Sequence, residues 1–462
     1  MKKKVFMMSI AMMCSGTIVV GQQVKPIEKQ FKLHWSADIG NASYRTNMLF
    51  TGGQIIIGSN GSQYMDYYLD ESNGVHVLNA KTGKKVRSFA NENWGDMDVN
   101  GIVKYNENLY FGNDNDEFIC ADKKGKIHWR LPVSGDVEHA PTLIKNKGSS
   151  YLVFGTETGE MRAIDPSNGK SIWTHYHPSF SGWKHGDNRF VFKVKSHFRN
   201  GDIFFAQPAV ADLNRDGIND LIYYCGQSRS EIYAVNGANG KKIFSVAEVS
   251  GGGKYFGVNY KHTPVIVGKG SKLRIIVPHR LYKDNNVTYS LAHYNRKGEK
   301  IKEIVTGETT RSVGLSSAKV STQEVLMPFQ SAIAVCNSIE GKTSFITGIN
   351  WKGKTKYGQR YMYYGHPLIA NKLVRYKGEK CALVMHQHTR SESKDQRGAM
   401  LVIVGIESKK PLGFFRLPAG SECIPHIKDV TGDGKLDLLV GCYDGKLRCY
   451  DLDIPINQIA YK

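Results

Sequence analysis

Beyond its first twenty residues the chain has no apolar run long enough to cross a bilayer as a helix, so no later membrane span is expected. Linkers rich in proline, serine or glycine are missing, and so are low-complexity stretches. That argues for one domain even though 462 residues could hold two or three. No nucleophile elbow, phosphate-binding loop, dinucleotide fingerprint or thiolate zinc cluster occurs, which removes the commonest signatures of hydrolases and nucleotide enzymes. Cysteine is sparse. Apart from Cys14, the seven at 120, 225, 336, 381, 423, 442 and 449 are odd in number and lie in strand-like runs. They read as small buried hydrophobes, not a disulfide framework. Acidic side chains are outnumbered, 42 against 62 Lys and Arg, for a formal charge of +20.

What is present begins with a basic n-region, Lys2 to Lys4, and an apolar run continuing to Val20. Residues 1–21 are expected to be a cleaved export signal, with cleavage before Gln22 and lipidation at Cys14 as the lesser alternative. Residues 22–462 would then form a secreted or periplasmic domain. Outside the cell a basic surface meets nucleic acid rarely. An acidic or sulfated polysaccharide is the expected partner, and the chain is expected to be a monomer.

The dominant pattern is a repeated phrase: an apolar strand, a turn closed by Gly-Lys, then another strand. It stands at 77–84, 120–126, 163–170 and 234–241, with weaker copies at 294–300 and 337–342. Asp or Asn caps its own backbone there and glycine takes the positive φ of a tight hairpin. Gly83, Gly125 and Gly169 are a little over forty residues apart, the length of a four-stranded propeller blade. The fold class is therefore all-β, a single β-propeller with eight four-stranded blades, seven being the alternative because 313–349 is irregular. The last unit supplies only three strands, and the segment 31–39 is expected to provide the fourth and close the ring. The Gly-Lys turns fall on one end. Long segments at 58–74, 178–205, 248–261, 279–288, 350–364 and 386–398 share the other, which is where function is expected.

Two loops carry oxygen ligands at every second position: Asp212, Asn214, Asp216, Ile218 (carbonyl) and Asp220, then Asp429, Thr431, Asp433, Lys435 (carbonyl) and Asp437. Hard Ca²⁺ takes such a set around a glycine turn, so two structural calcium ions are expected on the turns between a blade's first and second strands (the A–B turns), away from the working end. Zinc is not predicted, although His279 or His386 with Cys336 would be its candidates. At the loop-rich end the strand openings carry His139, Gln207, His262 and His366. His279, Arg280, His386 and His388 follow at strand ends, with Arg189, Arg199, Tyr255 and Tyr260 in crossovers. Imidazoles that titrate near neutrality, a phenol and guanidiniums make an acid–base and anion-binding set. Asp114, Asp116 and Glu138 offer the rival carboxylate chemistry of hydrolysis.

The Gly-Lys repeats resemble those of pyrroloquinoline-quinone-type propellers, and the Asp-rich loops resemble the calcium repeats of integrin-type propellers. Their combination in a basic chain of this size, with the stretch Gly135 to Thr142, resembles the propeller polysaccharide lyases, most closely the ulvan lyases and more distantly the rhamnogalacturonan lyases. Ulvan lyases of this type have seven blades, against the eight counted here. The resemblance implies β-elimination on a uronate-containing, sulfated polysaccharide. In that reading His139, Tyr260 and His262 act as base and acid, and Arg199 or Arg189 neutralises the carboxylate. Gln207, His279, Arg280 and His366 line the groove, with Trp94, Trp183 and Tyr361 as sugar platforms. The non-catalytic alternative is a secreted propeller that binds glycan or protein.

Overall fold

The computed structural model describes residues 27–61, 72–90, 97–146, 148–180, 182, 203–225, 231–247, 263–283, 286–305, 317–321, 323–328, 332–337, 342–347, 352–354, 360–362, 367–387 and 399–461. Eight antiparallel blades follow one another, at 48–89, 102–132, 142–176, 209–247, 265–305, 318–347, 368–417 and 426–455, numbered 1 to 8. The last has three strands of its own, and Lys32–Asp38 is its fourth, running antiparallel to Lys446–Pro455 from Lys32↔Asp451 to Asp38↔Lys446. The expected eight blades and terminal closure are both present. The region at 313–349 forms a regular four-stranded blade after all, Ala318–Lys319 to Lys342–Thr347.

Burial explains the sequence rhythm. Second strands are sandwiched by neighbouring blades on both faces, so they read as unbroken apolar runs; Ile55, Ile56 and Ile57 are all fully buried. Outer strands meet solvent on one side, and Ser171–Tyr176 alternates between exposed and half-buried. At the seam Trp35, Ala37 and Ile39 enter a cluster with Leu439, Leu447 and Cys449. Each large apolar side chain buried there is worth about 1.5–3 kcal/mol, so a short strand can hold the ring shut. All seven described cysteines are buried and free.

A second device joins consecutive blades. An aromatic on one blade's outer strand lies over the Gly-Lys turn of the next: Trp35 on Gly83, Phe89 on Gly125, Trp129 on Gly169, Trp173 on Gly240 and Phe244 on Gly298. A Cβ added at Gly83 would stand 2.5 Å from the Trp35 ring. The indole N–H of Trp35 also donates to the Ala80 carbonyl at 3.1 Å, and that of Trp173 to Gly237 at 3.3 Å. The glycine therefore has two jobs, a positive φ of +69° at Gly83 and room for the ring above it.

The first and last described strands both pair with blade 7. Ile27–Glu28 runs parallel to Lys410–Leu417 on its outer edge, while Ile459–Tyr461 pairs with Leu373–Tyr376 of its first strand. Covering these edges removes unpaired backbone that would otherwise template association.

Candidate functional site

At the loop-rich end, the segments leading into the first four blades are tied together by polar side chains. Asn47 clips the lead-in of blade 1 to blade 2, donating to the Ile102 carbonyl and accepting from its N–H, both at 2.8 Å. Ser43 donates to Asn100 Oδ1 at 3.1 Å, and Asn100 Nδ2 donates to Glu138 Oε2 at 2.8 Å. The same Glu138 oxygen contacts the Arg45 guanidinium, which also lies 4.8 Å above the Phe205 ring. Arg45 precedes blade 1, Glu138 precedes blade 3 and Phe205 precedes blade 4. A side chain touching all three reaches over the channel mouth, not along its wall. Asn60 donates to Asp98 at 3.1 Å, and carboxylate oxygens of Asp114, Asp136 and Glu138 gather within 4.8 Å of one another. The described part of the mouth is thus acidic, with one guanidinium across it.

His139 lies beside this network but faces the interior. It is 1% exposed, its Nδ1 meets the Ala140 carbonyl at 2.9 Å and its ring centroid is 5.9 Å from that of Tyr223. Among the described residues, Nε2 and the Tyr223 hydroxyl, both buried, have no hydrogen-bond partner. Burial pushes the imidazole pKa down to about 4, so the ring is neutral near pH 7. Gln207 is half-buried and donates to Thr142 Oγ1 at 3.2 Å, joining blades 3 and 4. His279 and Arg280 fall in Arg274–Lys283, opposite Ser290 and Tyr289. Tyr361 falls in Arg360–Met362. Arg189, Arg199, Tyr255, Tyr260, His262, His366, His388, Trp94 and Trp183 lie outside the described residues. His386 and Cys336 are buried, and among the described residues neither joins a group of three metal-ligating side chains. Sequence reasoning missed Arg45, Asn60, Asp98, Asn100 and Asp136. Their only local signal is that polar residues crowd the segments before first strands.

The Asp-rich loops occupy the opposite end, on the A–B turns. In blade 4, Asp212 accepts from the N–H groups of Arg215 at 2.6 Å and Gly217 at 3.1 Å, and Asp216 from Ile218 at 2.8 Å. Asp220 is fully buried, accepts from Leu213 at 2.8 Å and Gly237 at 3.1 Å, and is pushed up to about 6 by burial, with the charge of Asp216 adding to it. In blade 8, Asp429 accepts from Gly432 at 2.7 Å and Gly434 at 3.1 Å, while Asp437 Oδ2 accepts from Val430 at 2.8 Å and Thr431 at 3.0 Å. Each carboxylate oxygen so engaged keeps a second lone pair. Asp212, Asn214, Asp216, Asp220 and the Ile218 carbonyl are oxygen donors of the kind a hard cation takes, although the three carboxylates do not come within 4.8 Å of one another as a group.

A family model described as outer membrane protein assembly factor BamB matches residues 71–276. Among solved structures, BamB from Moraxella catarrhalis aligns at 10% identity and a TM-score of 0.46, over 92% of this chain and all of that one. The computationally designed Ika8 protein aligns at 10% identity and a TM-score of 0.47, over 94% of this chain and all of its own. No curated protein matches. Over residues 71–276, then, this β-propeller is built of repeats like those of the assembly-factor family.

Proposed function

We propose that the chain is an exported propeller that binds an acidic polysaccharide through its basic surface, 62 Lys and Arg against 42 acidic side chains. That charge excess carries the reading; the acidic mouth, where Arg45, Ser43, Asn100 and Glu138 brace one another, would repel a polyanion and serves as a rigid support. The sequence between 183 and 202 adds Lys184, Arg189, Lys193, Lys195 and Arg199, a cationic run. The match to an assembly-factor family supports export and a non-catalytic role. The test is retention of the purified chain on immobilised ulvan, pectate and a sulfated glycosaminoglycan across a salt gradient. Tight retention that fades with salt is expected. Passage through all three columns at low salt defeats the proposal.

A second reading, β-elimination on a uronate polymer, is favoured by one feature. His139 carries a neutral imidazole whose Nε2 meets no described partner, the protonation state a base needs, and at 1% exposure that nitrogen has to be uncovered before it can meet a substrate. Tyr260, His262 and Arg199 would complete that centre. An ultraviolet-absorbing unsaturated product that forms with the native chain, and not with His139→Ala, would establish the lyase. Bound polysaccharide that stays intact would leave the binding reading standing.

For the blade 4 loop we propose structural calcium. Chelation is expected to lower the melting temperature without changing polysaccharide retention at low temperature, and calcium should restore it. No shift on chelation would sink the proposal.

A further inference from the structure

The blade 8 loop differs from that of blade 4 in what surrounds it. One ligand atom each of His34, Asp433 and Asp451 lies within 4.8 Å of the other two. Asp437, whose side chain is 0% exposed, brings Oδ1 to 3.2 Å from His34 Nε2. Both atoms are buried, and among the described residues neither has a hydrogen-bond partner despite that distance.

Blade 4 is an internal control. Strand register places Asn236 where blade 8 has Asp451, and Ile243, the bulged residue of the outer strand, where blade 8 has the bulged His34. There Asn236 Nδ2 donates to Asp216 at 3.2 Å, so an amide proton fills the gap beside the loop carboxylate. Ile243 packs into the apolar cluster between blades. Blade 8 replaces the amide with a third carboxylate and the apolar chain with an imidazole, losing a proton donor and gaining two ligands. The Lys435 ammonium is held 2.9 Å from Asp453 and also pairs with Asp451 at 3.8 Å, so it stands at the rim of the cluster and a bound ion would compete with it for Asp451.

We propose that His34, Asp433, Asp437 and Asp451 bind a divalent transition-metal ion of the zinc type. An imidazole nitrogen among carboxylate oxygens suits such an ion, whereas calcium prefers oxygen throughout. His34 belongs to the N-terminal strand and the three carboxylates to the C-terminal blade, so the ion clamps the ring's seam. Asp433 is exposed and leaves the ion a way in. The site is independent of whatever the loop-rich end binds.

The test uses the full chain stripped with chelator, then titrated with zinc chloride or calcium chloride. Zinc is expected to raise the melting temperature and to slow amide exchange in Lys32–Asp38. Cobalt should give a visible spectrum. In His34→Ala and in Asp451→Asn, zinc affinity should fall at least tenfold, because even outer partners of metal ligands are worth about 10–100-fold. The calcium response should survive in both. Equal zinc affinity in native chain and variants, or zinc protection absent from Lys32–Asp38, overturns the proposal. So does a bare His34–Asp437 ion pair, recognised by no zinc response together with a loss of stability in His34→Ala. If His34→Ala does not fold, Asp451→Asn and the cobalt spectrum decide by themselves.

Discussion

At the scale of single residues, burial governs what the polar groups can do. Glu138 and Arg45 are both largely withdrawn from water, with side chains 7% and 15% exposed. Breaking one side of such a pair strands the other, so Arg45→Met should cost about 3–5 kcal/mol in chemical denaturation, and adding Glu138→Leu should return much of it. Four buried histidines, His76, His139, His293 and His386, have pKa values lowered to about 4, burial being the first cause in each. Their folded values lie below the unfolded one, so the unfolded chain binds protons first as pH drops. Stability should therefore be full above pH 6.5 and fall between 6.5 and 4, each ring adding at most ~1.4 kcal/mol per pH unit. A urea midpoint that stays flat across that window would contradict the burial of these rings. His139 also shows where local reading stops: its place before a first strand is evident from the sequence, but the direction its ring faces depends on Tyr223, in another blade.

Among elements, the Gly-Lys hairpin and the aromatic above it form the repeating unit of cohesion. The turns are legible because Asn79, Asp122, Asp165 and Asn236 each cap their own backbone within five residues. The aromatic partner is not, because it comes from the preceding blade, from 36 residues away (Phe89 to Gly125) to 67 (Trp173 to Gly240). Two alanine substitutions separate the effects. Gly52 also has positive φ, +56°, but an added Cβ would meet nothing within 4 Å. Gly52→Ala should cost ~1–2 kcal/mol from backbone strain alone. Gly83→Ala adds overpacking against Trp35 and should cost about 3 kcal/mol or more. Equal losses by urea denaturation would mean that Trp35 can move aside freely.

For the whole molecule, closure is the decisive event. Removing residues through Asp38 would leave Lys446–Pro455 as a bare edge and open the cluster around Leu439 and Leu447. Such a chain should aggregate or fail to elute as a compact monomer in size-exclusion chromatography, since unpaired edges invite pairing between molecules. A soluble, compact truncated form would mean that interblade packing alone suffices. The count of blades was legible because each repeat carries its own turn and its own apolar runs. The channel mouth was not, since Arg45, Asn100, Glu138 and Phe205 meet only when four lead-ins converge.

By itself the sequence determined the repeat, the eight blades, the end on which the Asp-rich loops sit and the strand that shuts the ring. All of these depend on hydrogen bonds and periodicities spanning a few residues, or on counting them. Only the tertiary structure decided that Arg45 bridges the mouth, that His139 turns inward, and that His34 bulges toward Asp437. Those are meetings between residues scores or hundreds of positions apart. Wrapping sheets into a circle brings them together, and no local pattern encodes which side chain will then face which.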